Sequence, residues 1–123
     1  MRTMILYFGG TVAPASALVE RYAFPIGKLW QISSLEVVFQ VGQAGTLFVR
    51  PRAERVCGTI DDLLLPQPEV TGDDWSFHIE SIPMIFVPGA ALRFDIRNTD
   101  TLHTRRYTMV VELREAVAEE LSL

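Results

Sequence analysis

The sequence has little of three features that many protein functions require. Its single cysteine, Cys57, excludes an intrachain disulfide and a cysteine-based metal cluster. Basic residues number 11 against 15 acidic ones, and the net charge of −4 disfavours a nucleic-acid partner. The longest apolar run, Ile82 to Leu92, is broken by Pro83, Pro88 and Gly89 and falls short of the ~18 residues of a membrane-spanning helix. We therefore expect neither nucleic acid nor membrane among the partners.

Signals for catalysis are also missing from the sequence. No serine lies in a Gly-x-Ser-x-Gly context, and no glycine-rich phosphate loop occurs. The acidic pairs Asp61-Asp62 and Asp73-Asp74 adjoin turn residues, where aspartate side chains cap backbone groups. We therefore predict that the chain is not an enzyme and binds no cofactor.

Metal binding has few candidate ligands. His78 and Glu80 share one face of a predicted strand, whereas His103 and Cys57 lie elsewhere in the sequence. The cupin family, a jelly roll with metal ligands on its strands, requires a His-x-His motif, of which this chain has only His78-Ile79-Glu80. The histidine of the second cupin motif is missing as well. We therefore predict no metal site, and a small jelly-roll enzyme is the least favoured functional class.

What the sequence does contain is a regular alternation of apolar and polar residues. A hydrophobic fraction of 49% allows the chain to bury the core of a single domain, residues 1–123. The period-2 pattern is typical of half-buried strands in antiparallel sheets. We expect Met4, Leu6 and Phe8 to form the inner face of a first strand rather than part of a signal sequence. The predicted core consists of Leu35, Val37, Phe39, Trp75, Phe77, Ile79, Leu92, Phe94, Ile96, Met109 and Val111.

Turn residues separate these segments at short intervals and indicate an all-β fold, an antiparallel β-sandwich or jelly roll. Val87-Pro88-Gly89-Ala90 fits a type II turn, which we expect at a corner where the chain crosses between sheets. The segment Thr59–Leu65 could form one helical turn or a strand. Residues 112–123 suggest a last strand that runs into a short helical or extended tail. One face of this tail carries apolar residues four apart, namely Leu113, Val117 and Leu121.

Arginine accounts for nearly all the positive charge, since Lys28 is the only lysine. Arginine is enriched at protein interfaces and lysine is depleted there. A genome rich in G and C would produce the same bias without any interface. We therefore predict a subunit interface that consists of four arginines and the three apolar tail residues, namely Arg93, Arg97, Arg105, Arg106, Leu113, Val117 and Leu121.

The segment Ile82–Leu113 carries a family resemblance. An apolar strand ending in Phe86-Val87-Pro88-Gly89 leads to the strand Leu92–Arg97, the turn Asn98-Thr99-Asp100 and a long closing strand from Arg105. This order resembles the C-terminal half of small β-sandwich virion proteins of tailed bacteriophages, such as capsid decoration (cement) proteins and minor capsid proteins. The N-terminal half of the chain does not share in the resemblance.

The resemblance implies a structural virion protein that binds between capsid subunits and stabilises the phage shell. The expected partners are the major capsid protein or other virion subunits. The resemblance also implies a homo-oligomer, for which a trimer is favoured. Such a protein would be made in the host cytoplasm and located in the virion, and the unpaired Cys57 fits a reducing compartment.

A second functional class stays open, namely a carbohydrate- or receptor-binding β-sandwich of a phage tail or fibre. Such a protein needs exposed aromatic side chains, for which Trp30, Trp75 and Tyr107 are the candidates. However, Trp75 and Tyr107 alternate in phase with core residues, and this pattern predicts that both are buried.

Overall fold

The computed structural model describes residues 2–116, which form an all-β structure. Within this part of the chain, no helix is long and apolar enough to cross a membrane. The strands of the described residues are β1 (Thr3–Val12), β2 (Ala17–Ala23), β3 (Leu29–Phe39), β4 (Leu47–Glu54), β5 (Ile60–Asp62), β6 (Val70–Thr71), β7 (Trp75–Phe86), β8 (Ala91–Asn98) and β9 (Arg105–Ala116).

These strands form two antiparallel sheets, which confirms the predicted all-β antiparallel class. The first sheet has the order β1-β9-β3-β7. The second sheet has the order β2-β8-β4-β5, and the short β6 also pairs with β4. Consecutive strands such as β7 and β8 lie in different sheets, so the connections between them are corners rather than tight hairpins.

The corner between β7 and β8 is the turn predicted from the sequence. Gly89 adopts a φ of 89°, which favours glycine because a side chain is strained there. The backbone N–H of Ala90 donates to the carbonyl of Val87 at 3.0 Å and closes the turn. The chain therefore leaves the first sheet at Phe86 and enters the second at Ala91.

The inner faces of the two sheets share one apolar core. Phe8 of β1 packs against Phe94 of β8 with ring centroids 5.2 Å apart. Phe86 of β7 stacks on Phe24, just after β2, at 4.6 Å. Most of the predicted core is confirmed, with at most 1% exposure at Leu35, Val37, Phe39, Leu92, Phe94, Ile96, Met109 and Val111.

Three predicted core residues on β7 behave differently. Trp75 is 50% exposed, so its predicted burial is wrong, while Phe77 and Ile79 are only half-buried. All three point to the inner side of the first sheet, like their pairing partners on β3. However, β7 is the edge of that sheet, and the second sheet ends in the short β5 and β6. The alternation identifies the inward face of a strand but not how far the opposing sheet extends over it.

β7 is also longer than expected, because the predicted strand that carries His78 and Glu80 continues without a break into the apolar strand predicted from Ile82. Gln31 pairs with Ile85 and Ile32 pairs with Ile82, so two extra residues of β7 lie between these pairs. One of the two is Pro83, which has no N–H to donate to a neighbouring strand. Such a bulge is tolerated at the edge of a sheet.

The two segments left open by the sequence both form strands where the structure describes them. Within Thr59–Leu65, residues Ile60–Asp62 form β5 and no helical turn occurs. β9 continues through Ala116, so residues 112–116 belong to a strand and not to a tail. Leu113 is fully buried beside Val111, which corrects its assignment to a subunit interface. The other two predicted tail residues, Val117 and Leu121, lie outside the described residues.

Truncation of a side chain between the sheets tests this core. We expect Phe94→Ala to lower the free energy of unfolding by roughly 3–5 kcal/mol, because it leaves a cavity where the ring met Phe8. Urea unfolding followed by circular dichroism measures the change. As a control, Val19→Ala on β2, which removes a side chain that is 48% exposed, should change stability by less than about 0.5 kcal/mol. Equal costs for the two variants would contradict the assigned core.

Candidate functional site

An apolar groove runs along the edge of the molecule where β7 faces the segment 63–71. It has a volume of about 970 Å³. Its two walls come from different sheets, because β7 ends the first sheet and residues 63–71 run beside β4 of the second. Most of its lining is apolar, including Phe48, Leu63–Leu65, Pro66, Pro68, Trp75, Phe77 and Ile79.

Trp75 is held in a fixed orientation in this groove. Its indole lies nearly parallel to the Phe39 ring, with centroids 6.1 Å apart and an interplanar angle of 7°. Phe77 meets it edge-on at 6.2 Å. A Cβ on Gly72 would lie 2.8 Å from Trp75 Cε3, so the missing side chain of Gly72 leaves the room that the indole fills. The exposed indole is therefore a preformed aromatic surface.

Of the described residues that line the groove, Glu69 has the single titratable side chain. Both its carboxylate oxygens accept hydrogen bonds from Arg97, at 2.8 and 3.1 Å. These bonds lower the pKa of Glu69, so the carboxylate stays ionised at neutral pH. An ionised carboxylate that accepts two hydrogen bonds is a poor proton donor. The hydroxyl of Thr71, which also lines the groove, donates to the carbonyl of Leu47 at 2.6 Å. The arrangement suits binding of an apolar or aromatic group.

A second feature is a network of ion pairs on the outer face of the second sheet. Its members alternate in charge, and each carboxylate contacts two arginines. Glu54 and Asp95 join arginines of neighbouring strands, whereas Asp62 contacts two arginines of β4. In order across the sheet, the N–O distances are 2.7 Å for Arg21–Glu54, 3.1 Å for Glu54–Arg93, 2.7 Å for Arg93–Asp95, 3.1 Å for Asp95–Arg52, 3.3 Å for Arg52–Asp62 and 2.6 Å for Asp62–Arg50.

The strand register explains why this network exists. Arg93 on β8 lies directly opposite Arg21 on β2 and Arg52 on β4. Like charges directly opposite one another destabilise a sheet. Glu54 and Asp95 lie between these arginines and bind them in pairs. Hydrogen bonds from Arg21, and then from Arg93, lower the pKa of Glu54.

The four arginines predicted as an interface are distributed over separate surfaces. Arg93 and Arg97 lie on the outer face of the second sheet, where they bind acids of their own chain. Arg97 also lies over the Phe48 ring at 4.0 Å. Arg105 bonds Asp100 and the carbonyl of Gly42. Arg106 is exposed on the first sheet, opposite Thr11.

The candidate metal ligands also lie apart. His78 is on β7 and contacts Glu80 at 3.4 Å, while the His103 ring lies 3.1 Å from Asp100 in the loop after β8. Cys57 is exposed between β4 and β5, where a contact with Thr59 lowers its pKa. Among residues 2–116, no group of three or more His, Cys, Asp or Glu side chains is arranged to hold a metal ion.

Sequence reasoning missed the groove. A signal for it was available in the apolar run Leu63-Leu64-Leu65, which Pro66-Gln67-Pro68 follows. This run lies outside any alternating segment, so it has no strand face on which to bury all its side chains. Leu65 is in fact highly exposed, at 81%.

The packing of Trp75 on Gly72 can be tested by substitution. In a Trp30→Phe background, which leaves Trp75 as the only tryptophan, Gly72→Ala should displace the indole because the new Cβ would overlap it. We expect red-shifted fluorescence and stronger quenching by acrylamide. The exposed neighbour Ser76 provides the control variant Ser76→Ala, which should leave both unchanged. Unaltered quenching in Gly72→Ala would show that the indole is not held there.

The role of Glu54 can be tested through pH and salt. Because its pKa is lowered in the folded state, its stabilisation is present above about pH 4.3, the usual pKa of glutamate, and is lost as the pH falls through the lowered value. We expect Glu54→Gln to cost about 1 kcal/mol at neutral pH and low salt, and less at high salt. The cost should vanish in acid. Glu36→Gln on the first sheet serves as the control, and a pH-independent cost for Glu54→Gln would contradict the network.

Comparisons with known proteins leave the family of this chain open. No protein-family model matches it, and no curated protein is significantly similar to it. Its function must therefore be argued from the two surface features described above.

Proposed function

We propose that this chain is a structural virion protein, a decoration (cement) or minor capsid protein, that binds between capsid subunits and stabilises a phage shell. We infer further that its two sheets form a β-sandwich of the kind found in such proteins. The resemblance of residues 82–113 supports this proposal, because the order of strand, Pro-Gly corner, strand, Asn turn and closing strand also describes β7 to β9. The proposed partners are the major capsid protein or other virion subunits.

The observation that carries the proposal is the apolar groove with Trp75 at its mouth. A groove of this volume, lined mostly by apolar side chains, is typical of a binding site. Tryptophan is enriched among the residues that contribute most to protein–protein affinity. The part of the chain that the structure describes brings no pair of titratable groups into the groove that could act as acid and base, which favours a binding role over a catalytic one. An apolar side chain or loop of a neighbouring subunit fits this chemistry.

The arginines contribute less to the proposed contact than their number suggests. Arg93, Arg97 and Arg105 already bind acids within the chain, so a partner would have to compete with Asp95, Glu69 or Asp100. Of these three, Arg93 belongs to the ion-pair network on the outer face of the second sheet. Arg106, which is exposed, is the best placed of the four to meet a carboxylate of a partner.

Attachment to shells tests the proposal. We expect Trp75→Ala to weaken binding to purified shells that lack this protein by roughly tenfold or more, because it removes the indole from the groove. Cosedimentation measures the bound fraction, and thermal unfolding checks the fold. The control variant Val56→Ala removes an exposed apolar side chain between β4 and β5, outside the groove, and should bind normally. Failure of the unmodified chain to bind any shell, or full binding by Trp75→Ala, would contradict the proposal.

One observation favours the second candidate function, a carbohydrate- or receptor-binding β-sandwich of a tail or fibre. Trp75 presents half its indole to solvent, and a flat aromatic face suits a sugar ring. Trp30 and Tyr107, the other two aromatic candidates, are buried. If this second function is correct, the unmodified chain should bind glycans on an array, and Trp75→Ala should abolish that binding. Purified shells should then bind neither the unmodified chain nor the variant. Copy number in purified particles separates the two roles, since a shell protein is present in far more copies than a tail protein.

A further inference from the structure

The edge strand β1 differs from the other sheet edges of the described residues. It has ten residues, none of them charged and none a proline. The opposite edge of its sheet, β7, carries Pro83, a bulge and the charged Glu80. The edges of the second sheet are short and carry charges such as Arg21 and Asp62. Proteins commonly protect sheet edges with charges, proline or bulges, and an edge without them is a template for another strand.

The backbone of β1 has regularly spaced groups directed away from the sheet. The N–H of Glu115 donates to the carbonyl of Arg2 at 2.8 Å, and this pair continues the β1–β9 register by one residue beyond Thr3 and Arg114. Hydrogen-bonded and non-hydrogen-bonded pairs alternate in an antiparallel ladder. The outward N–H and C=O groups therefore belong to alternate residues, Thr3, Ile5, Tyr7, Gly9 and Thr11.

The side chains of β1 are arranged so that the strand can pair with itself. In an antiparallel pair centred on Tyr7, Ile5 of one copy lies opposite Gly9 of the other, where it would meet the Tyr7 ring that lies over Gly9. Leu6 lies opposite Phe8, and the pair brings no like charges together. The Tyr7 ring leans along its own strand over Gly9, where a Cβ would lie 3.0 Å from Cε1. The space on the two-fold axis is thereby left open.

We propose that β1 is a homodimerisation edge, and that its partner is β1 of a second copy of this chain in antiparallel register about Tyr7. The contact joins the two four-stranded first sheets into one continuous sheet. It brings a neighbouring strand alongside Ile5 and Tyr7, which are 66% and 69% exposed in the single chain. The symmetry is two-fold, so the trimer implied by the family resemblance would need a different surface. The proposal does not depend on the function of the groove.

Disulfide trapping tests the register. In a Cys57→Ser background, Tyr7→Cys places two thiols directly opposite each other, with Cα atoms about 5.5 Å apart, within reach of a disulfide. The matched control Thr3→Cys lies on the same exposed edge. Its two copies would be separated by eight residues of strand, or about 27 Å. We expect a covalent dimer from mild oxidation of Tyr7→Cys and essentially none from Thr3→Cys.

Sedimentation tests the dimer without a crosslink. We expect the unmodified chain to sediment as a dimer at high concentration, and Tyr7→Lys to be a folded monomer because two lysines would face each other across the axis. Val19→Lys on β2 makes the same kind of change at the edge of the second sheet and should leave the dimer intact. A monomeric unmodified chain, a dimer that persists in Tyr7→Lys, or equal trapping at Thr3 and Tyr7 would each overturn the proposal. If β1 pairs instead with a strand of a different protein, this chain should sediment as a monomer on its own and as a heterodimer when that protein is added. That result also overturns the proposal.

Discussion

Apolar packing between the two sheets is the interaction on which the rest of the structure depends. The strand ladders hydrogen-bond each sheet only within itself, so contacts such as Phe8–Phe94 and Phe24–Phe86 hold the sheets together. Burial of one such ring contributes about 1.5–3 kcal/mol, whereas an exposed ion pair contributes about 0–1 kcal/mol. The arginine network therefore adjusts the outer surface of a fold that the core already determines.

The groove arises from the limits of that packing. The first sheet ends in a strand of 12 residues, while the second ends on that side in strands of three and two residues. The inner face of β7 consequently extends beyond the strands of the second sheet that oppose it. The irregular segment 63–71 covers only part of the difference, and Trp75 remains half exposed. A binding surface thus follows from a mismatch in the lengths of two edges.

This mismatch also explains what the sequence could and could not predict. Alternation gives the face of each residue, so the all-β antiparallel class and central core residues such as Val37 and Met109 were predicted correctly. It contains no information on whether a strand lies at the centre or the edge of a sheet, so Trp75 was misplaced. A spacing of four near Leu113 suggested a helical face, yet the strand period of two places Leu113 beside Val111 in the core.

The arginines show a different limit of sequence reasoning. Their number suggested a surface available to partners. However, their environment depends on the pairing of strands that are far apart in the sequence, such as β2 and β4 with β8, and composition cannot specify that pairing. Arg21, Arg93 and Arg52 lie in one row across three strands, so acids of the same chain must neutralise them before any partner can. Arginine enrichment in a β-sheet protein is therefore weak support for an interface until the acids on neighbouring strands have been placed.

The two surfaces with the clearest binding chemistry lie at opposite edges of the first sheet, since β1 is one edge and β7 is the other. A dimer joined through β1 would leave both grooves uncovered, at the two far ends of the continuous sheet. The two-fold symmetric dimer would then present two identical Trp75 surfaces to a repeating array of partners. Binding at one groove raises the effective concentration of the second at a neighbouring site, so a weak single contact becomes a strong attachment. Self-association at one edge and binding at the other would in this way reinforce each other without any contact between the two sites.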